Sequence, residues 1–176
     1  MSSATESGVA AVTRFLDEAG VSYELVEHPP TFSALDEART TGTGPSSTAK
    51  TLLLHDRVAW RLAVLPATRR LDMPKVRRLL DAGAHLRLAT EEEMGQEFPT
   101  FEIGALPPFG PLVGSPEVVD VRLLYRERIL CPAGDHRHCA LLDPRELIRL
   151  VEPRVGDICE RVHPDRRKDF EELPHV

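Results

Sequence analysis

Apolar residues recur at three- and four-residue spacing near the start of the chain. Val9, Val12, Phe15, Leu16 and Ala19 share one helical face, so residues 6–19 are predicted to form an amphipathic helix closed by Gly20. The pattern then switches to alternation. Val21-Ser22-Tyr23-Glu24-Leu25-Val26 predicts a strand, and His28-Pro29-Pro30 ends it because proline cannot donate to a ladder. Ser33 to Arg39 reads as a short helix capped by Thr31 or Ser33, and residues 40–48 read as a loop. Two apolar runs, Lys50 to His55 and Val58 to Leu65, flank a short turn and predict a hairpin. Asp72 is placed to cap a helix running to Ala82, with Gly83 after it. His85 to Ala89 alternates, and Thr90-Glu91-Glu92-Glu93 is a capping box. Residues 98–116 are rich in proline and glycine and predict an extended loop. Strands are predicted at 118–124, 128–132 and 137–142, and Asp143-Pro144 opens a helix over 144–151. Strands outnumber helices and few strand–helix–strand units appear. The pattern predicts an α+β single domain over residues 8–152, with helices around a mixed or antiparallel sheet. Residues 153–176 are expected to be a charged tail, a short helix or disordered.

Composition narrows this picture. A chain of 176 residues can bury a core without disulfides. It contains no apolar run of about 18 residues, which argues against a membrane span. The first residues lack the basic and apolar regions of a secretory signal. Three cysteines, Cys131, Cys139 and Cys159, are too few for a disulfide framework, so a reducing, cytoplasmic setting is expected. The net charge of −6 argues against a general nucleic-acid binder and against DNA. That average conceals an asymmetry. Residues 50–87 hold nine Lys or Arg against three acids, whereas residues 88–120 hold seven acids and no base. A local basic patch can meet a phosphate backbone at one place, and Lys75, Arg77 and Arg78 on one helix are the candidates. The same pattern also suits a merely solvated helix face.

Few segments could carry chemistry. Residues 44–51 nearly match a phosphate-binding P-loop, but Ala49 replaces the second glycine and a strand follows where a helix is required. Nucleotide binding is therefore not expected. Lys50 remains, a cation between a glycine-rich loop and an apolar run. It suits an electrophilic or phosphate-binding group in a cleft, and equally a lysine whose stem packs while its ammonium reaches water. In Gly104-Ala105-Leu106-Pro107-Pro108-Phe109-Gly110, glycine permits close backbone approach and proline stiffens it. Rigid amides there could hold a carbonyl or an oxyanion, or the stretch could be a structural connection. Cys131, His136, His138 and Cys139 lie close in sequence, but their spacing matches no structural zinc site. In a hairpin His138 and Cys139 would point apart, so no metal and no cofactor are expected. Gly-x-Ser-x-Gly is absent and no cysteine sits in a nucleophile signature.

Several segments match a known family in order. They are Val21–Pro30, Ala49-Lys50-Thr51-Leu52-Leu53, Ala63–Ala67, Leu88–Glu93, the Gly104–Gly110 loop and Val119-Asp120. The chain resembles the YbaK/ProX family, free-standing relatives of the editing domain of bacterial prolyl-tRNA synthetase, over about residues 8–151. Its sharpest motifs are the lysine opening a strand and Gly-x-x-x-Pro at Gly104–Pro108. The resemblance implies a barrel-like sheet surrounded by helices. It also implies trans-editing, the hydrolysis of the ester joining a wrong amino acid to tRNA. Lys50 is then expected in the cleft, and Gly104, Ala105 and Pro108 in the loop that holds the ester and positions water. His28, Thr31, Phe32, Leu106, Pro107 and His136 are expected to line the pocket, and Arg77 and Arg78 to meet the tRNA. The implied partner is the acceptor end of a mischarged aminoacyl-tRNA, with a synthetase as a possible second partner and a monomer or homodimer as the working form. The alternative is a non-catalytic module of the same fold that binds tRNA or a synthetase.

Overall fold

The structure is a computed structural model that describes residues 5–162. Its first helix, α1 (Gly8–Glu18), starts where Ser7 Oγ accepts the Ala10 N–H at 3.2 Å. It buries Ala11, Val12 and Leu16, as its spacing requires. Strand β1 (Tyr23–Glu27) follows, then α2 (Ala34–Thr41), capped by Ser33 rather than Thr31. Within the loop expected at 40–48, Pro45–Ser47 forms a 3-10 turn.

The predicted hairpin is present as β2 (Ala49–His55) and β3 (Trp60–Pro66). Asp56 shapes its turn by accepting the Val58 and Ala59 N–H groups at 3.1 and 2.9 Å. Helix α3 (Met73–Leu79) is capped by Asp72 and stops short of Ala82. A two-residue strand β4 (Arg87–Leu88) leads into α4 (Glu91–Glu97), whose capping box joins Thr90 and Glu93 in both directions. The proline-rich loop ends in one short helix, α5 (Gly110–Val113). Next come β5 (Glu117–Asp120), β6 (Ile129–Pro132), β7 (His138–Leu142), α6 (Pro144–Val151) and β8 (Arg154–Gly156).

The strands form two open sheets, ordered β1-β7-β6 and β4-β2-β3-β5-β8. The first is antiparallel. In the second, β3–β5 and β5–β8 pair in parallel, so the sheet is mixed. The barrel-like closure implied by the resemblance does not occur. Among the described residues the two sheets share backbone pairing only at a single parallel bridge, Thr48 to Leu130, with no continuous ladder to close a ring.

Two expectations need correction. The strand predicted over 118–124 ends at Asp120, whose carboxylate accepts the Arg122 N–H at 3.0 Å and turns residues 121–125 into a 3-10 helix. The boundary at 152 also moves. β8 pairs with β5, Leu71 bridges to Cys159, and Ile158 and Cys159 are fully buried. A few apolar side chains inside a charged stretch sufficed to anchor it, and a parallel edge strand gave it a ladder. Residues 163–176 of the expected tail lie outside the described residues.

The sheets separate two apolar clusters. The larger includes Leu16, Ala49, Leu53, Leu106, Phe109, Ile129 and Ala140. The smaller holds Leu54, Leu65, Val76, Leu86, Ile158 and Cys159. Alternation along β2 puts Ala49 and Leu53 toward the first and Leu54 toward the second. Lys50 has the parity of Leu54, and its cross-strand partner is Leu65.

Candidate active site

Three connections converge at one end of the three-stranded sheet: the segment after β1, the Glu102–Pro108 loop and the turn between β6 and β7. Backbone hydrogen bonds hold them together. The Thr31 N–H donates to the His136 carbonyl at 3.0 Å, and the His28 N–H to the Arg137 carbonyl at 2.9 Å. The Glu102 N–H donates to the Gly134 carbonyl at 2.9 Å, and the Gly134 N–H to the Ala105 carbonyl at 3.0 Å. Gly134 has φ +99°, and a Cβ there would lie 2.7 Å from the Gly8 backbone. Only glycine meets both demands.

The loop itself departs from the expected role of Ala105. Its N–H donates to the Glu102 carbonyl at 3.0 Å and its carbonyl is taken by Gly134, so both backbone groups are used within the fold. The amides of Gly104 and Leu106 have no protein acceptor among the described residues. Gly104 is exposed, with φ +87°. The Leu106 side chain lies in the larger core rather than lining a pocket, and Pro107 and Pro108 are buried. Behind the loop, Phe109 is fully buried against Phe15 of α1, with ring centroids 5.8 Å apart.

Around Gly104 stand His136, Glu102 and Phe32. A Cβ on Gly104 would lie 3.6 Å from His136 Cε1. Glu102 Oε2 accepts the His136 N–H at 3.3 Å and sits 3.5 Å from its Nε2. The Phe32 ring is 76% exposed and tilts against the His136 imidazole at 4.9 Å. An exposed aromatic face beside a histidine and a free amide is a docking platform for a planar or apolar group. Thr31 is buried, and its Oγ1 has no partner. Glu102 stands in the loop motif, yet only the fold shows that it reaches His136.

His28 is buried below this surface. Its Nδ1 lies 2.8 Å from the Pro29 carbonyl and its Nε2 3.3 Å from Cys139 Sγ. A donating Nδ1–H leaves Nε2 to accept the thiol proton. Glu37 of α2 completes a buried trio with these two, all ligand atoms lying within 4.8 Å of one another. Burial raises the Glu37 pKa to about 7 and pushes the Cys139 thiol far above its usual range. The trio offers metal-type donors, but thiol and carboxyl protons already account for its contacts. It holds the Pro29–Ser33 segment to the sheet. Sequence spacing could not find it, because Cys139 is far from His28 along the chain.

Cys131 and Cys139 stand on neighbouring strands one register step apart, and burial raises both thiols. Cys159 is pushed up to about 12 by burial and by donating to Asp120 at 3.2 Å. None is a thiolate nucleophile.

Lys50 is not hydrogen-bonded to these loops. It is half-buried at the start of β2, and its neighbours include the Arg70 guanidinium and the neutral Cys159 thiol. Burial lowers its pKa, and no carboxylate lies within 4 Å among the described residues. The Thr48–Leu130 bridge sets this strand end beside β6, the strand that leads into the His136 turn. Arg77 and Arg78 are not part of the convergence. The Arg77 guanidinium donates twice to the Leu86 carbonyl, at 2.8 and 3.2 Å, so it closes α3 onto the chain before β4. Arg78 is exposed.

The convergence thus brings together exposed backbone at Gly104, the His136 imidazole and the exposed Phe32 ring. The model of the aminoacyl-tRNA editing domain matches residues 28–150, and the chain belongs to that family. It is similar to a solved candidate trans-editing enzyme for prolyl tRNA synthetase, 28% identical over 90% of this chain and all of that one, with a TM-score of 0.78. A solved hypothetical protein is 25% identical, covering 85% and 99% of the two chains, with a TM-score of 0.77. A candidate signal transduction protein from Marinobacter aquaeolei shares the fold alone, at 17% identity and a TM-score of 0.67 over 86% of this chain and 30% of its own. No curated protein matches. Among the described residues, no helix is long and apolar enough to cross a membrane.

Proposed function

We propose that this chain is a trans-editing deacylase that hydrolyses the ester between a wrong amino acid and its tRNA. The observation that carries this reading is the exposed, left-handed Gly104 with its unused amide, set against His136, Glu102 and Phe32. The amides of Gly104 and Leu106 are the donors for the carbonyl oxygen as it gains charge. Water attacks the carbonyl carbon and a tetrahedral intermediate forms. The bond to the ribose oxygen then breaks, and the water's proton ends on that ribose hydroxyl. His136, backed by Glu102, is placed to move this proton, and Phe32 to hold an apolar face of the substrate. Aminoacyl esters are activated, so positioning and charge stabilisation supply enough without a covalent intermediate. Lys50, half-buried and free of carboxylates, supplies positive charge near the tRNA end. A second hydrolytic site is useful because synthetase pockets discriminate small side chains poorly. The test is a panel of mischarged tRNAs. Turnover of at least one member, and its loss in Lys50→Ala, is expected. No turnover with any of them would leave a tRNA- or synthetase-binding module.

A further inference from the structure

The basic stretch of residues 50–87 is spent unevenly. Arg61 pairs with Asp56 at 3.3 Å and Arg87 with Glu93 at 2.7 Å. Lys75 reaches Asp157 at 2.8 Å and the Cys159 carbonyl at 2.7 Å, and Arg77 is tied to the Leu86 carbonyl. Four side chains that the charge count offers to a partner are thus consumed inside the fold. Lys50, Arg57, Arg69, Arg70 and Arg78 have no carboxylate within 4 Å among the described residues. Three of these gather at one end of the β2–β3 hairpin. Lys50 opens β2, and Arg69 and Arg70 follow the end of β3. Arg70 is a charged neighbour of Lys50, and both Arg69 and Lys50 neighbour Cys159.

The backbone beneath these arginines is fixed on both sides. The Ala67 N–H donates to the Thr48 carbonyl at 2.8 Å and the Arg69 N–H to the Pro66 carbonyl at 3.0 Å. The Glu160 N–H donates to the Arg70 carbonyl at 2.8 Å, and Leu71 bridges to Cys159. Two nearby acids are already used. Asp120 accepts from Arg122, the Ile158 amide and the Cys159 thiol, and Asp157 accepts from Arg122, Lys75 and the Cys159 amide. Three cations, Lys50 and Arg69 half-buried and Arg70 exposed, with no carboxylate within 4 Å among the described residues, repel each other unless an anion joins them.

We propose that Arg69 and Arg70, together with Lys50, form the contact for the RNA phosphodiester backbone beside the 3′-terminal ester. This rests on the editing reading, which supplies the anion class. On helix α3, Arg77 and Lys75 are engaged elsewhere, whereas Arg78 stays exposed with no carboxylate within 4 Å among the described residues. Arginine suits the role because its planar fork pairs two donors with phosphate oxygens. The half-buried Lys50 lies innermost and the exposed Arg70 outermost, so the strand would enter with its esterified end toward the cleft.

The experiment measures fluorescence anisotropy of an uncharged RNA hairpin with a single-stranded CCA 3′ end, across a salt series. Arg69→Ala and Arg70→Ala are each expected to weaken binding about fivefold or more at low salt and to reduce the salt slope by about one. Arg57→Ala, at the far end of the same hairpin, should stay within about twofold. Across a titration of charged substrate, Arg70→Ala should raise KM and leave kcat, read at saturation, unchanged. Wild-type affinity in the Arg69→Ala/Arg70→Ala double variant, or an equal loss in Arg57→Ala, overturns the proposal. The RNA is uncharged, so binding is read apart from hydrolysis. Intact arginine-dependent binding without deacylation would sink the editing reading alone.

Discussion

Glu37 shows how one residue sets a measurable property of this fold. It is buried beside Cys139 and His28, and burial raises its pKa to about 7 from an ordinary 4.5. The folded state therefore holds the proton more tightly than the unfolded chain. That contribution is fully present below about pH 4.5 and is lost as pH rises toward 7. The window corresponds to about 3 kcal/mol at most. Glu37→Gln should keep the thiol contact and flatten the fall in stability between pH 5 and 7, as read by denaturant midpoints. Glu117 behaves in the same sense. It is deeply buried, accepts the Gly110 N–H at 2.9 Å, and is held well above the carboxylate range by burial. It carries the slope that remains in Glu37→Gln. An unchanged slope in that variant would remove Glu37 from the account. At this scale the sequence was a partial guide. It marked Gly104, His136 and Phe32, which meet. It also marked Leu106 and Arg77, whose side chains the fold turns to packing and to a backbone carbonyl.

At the scale of elements, the segment after α6 carries more than its composition announces. β8 covers the edge of β5, Ile158 and Cys159 fill the smaller core, and Asp157 binds both Lys75 and Arg122. Ending the chain after Glu152 would expose Val118, Val76 and the β5 edge. Removing two buried side chains of this size costs about 3–6 kcal/mol, enough to unfold many small domains. Strong local signals made most other elements legible. The Thr90–Glu93 capping box, Asp143-Pro144 and the Asp72 cap each opened the helix they predicted. β8 was not legible because three residues with one apolar side chain carry no periodicity. Nor was the 3-10 turn after Asp120, where one carboxylate outweighs the strand propensity of Val121, Leu123 and Leu124.

For the whole molecule, charge is distributed with a purpose that the net value of −6 conceals. Four of the nine basic residues between 50 and 87 neutralise acids or bind carbonyls, and three of the other five, Lys50, Arg69 and Arg70, lie at one end of the β2–β3 hairpin. On the proposed editing reading, a protein of this charge would grip RNA locally, over few phosphates, and release it with modest salt. The α+β class and the mixed sheet were readable from the strand and helix pattern. The open form of the two sheets was not, because a single bridge at Thr48 and Leu130 decides it. The convergence of the loops on Gly104 was also hidden, since it depends on hydrogen bonds between segments distant in sequence.

The central claim is that the Gly104 loop performs ester hydrolysis without a covalent nucleophile. Its most direct measurement is amino-acid release from a mischarged tRNA by wild type and by Gly104→Ala, at equal folded concentration. At φ +87° a side chain is strained, and its Cβ would rest in van der Waals contact with His136 at 3.6 Å. Release by the wild type, with kcat about 100-fold lower in Gly104→Ala and a thermal midpoint lowered by only a few degrees, is predicted. Equal rates for the two proteins would deny the loop its catalytic role.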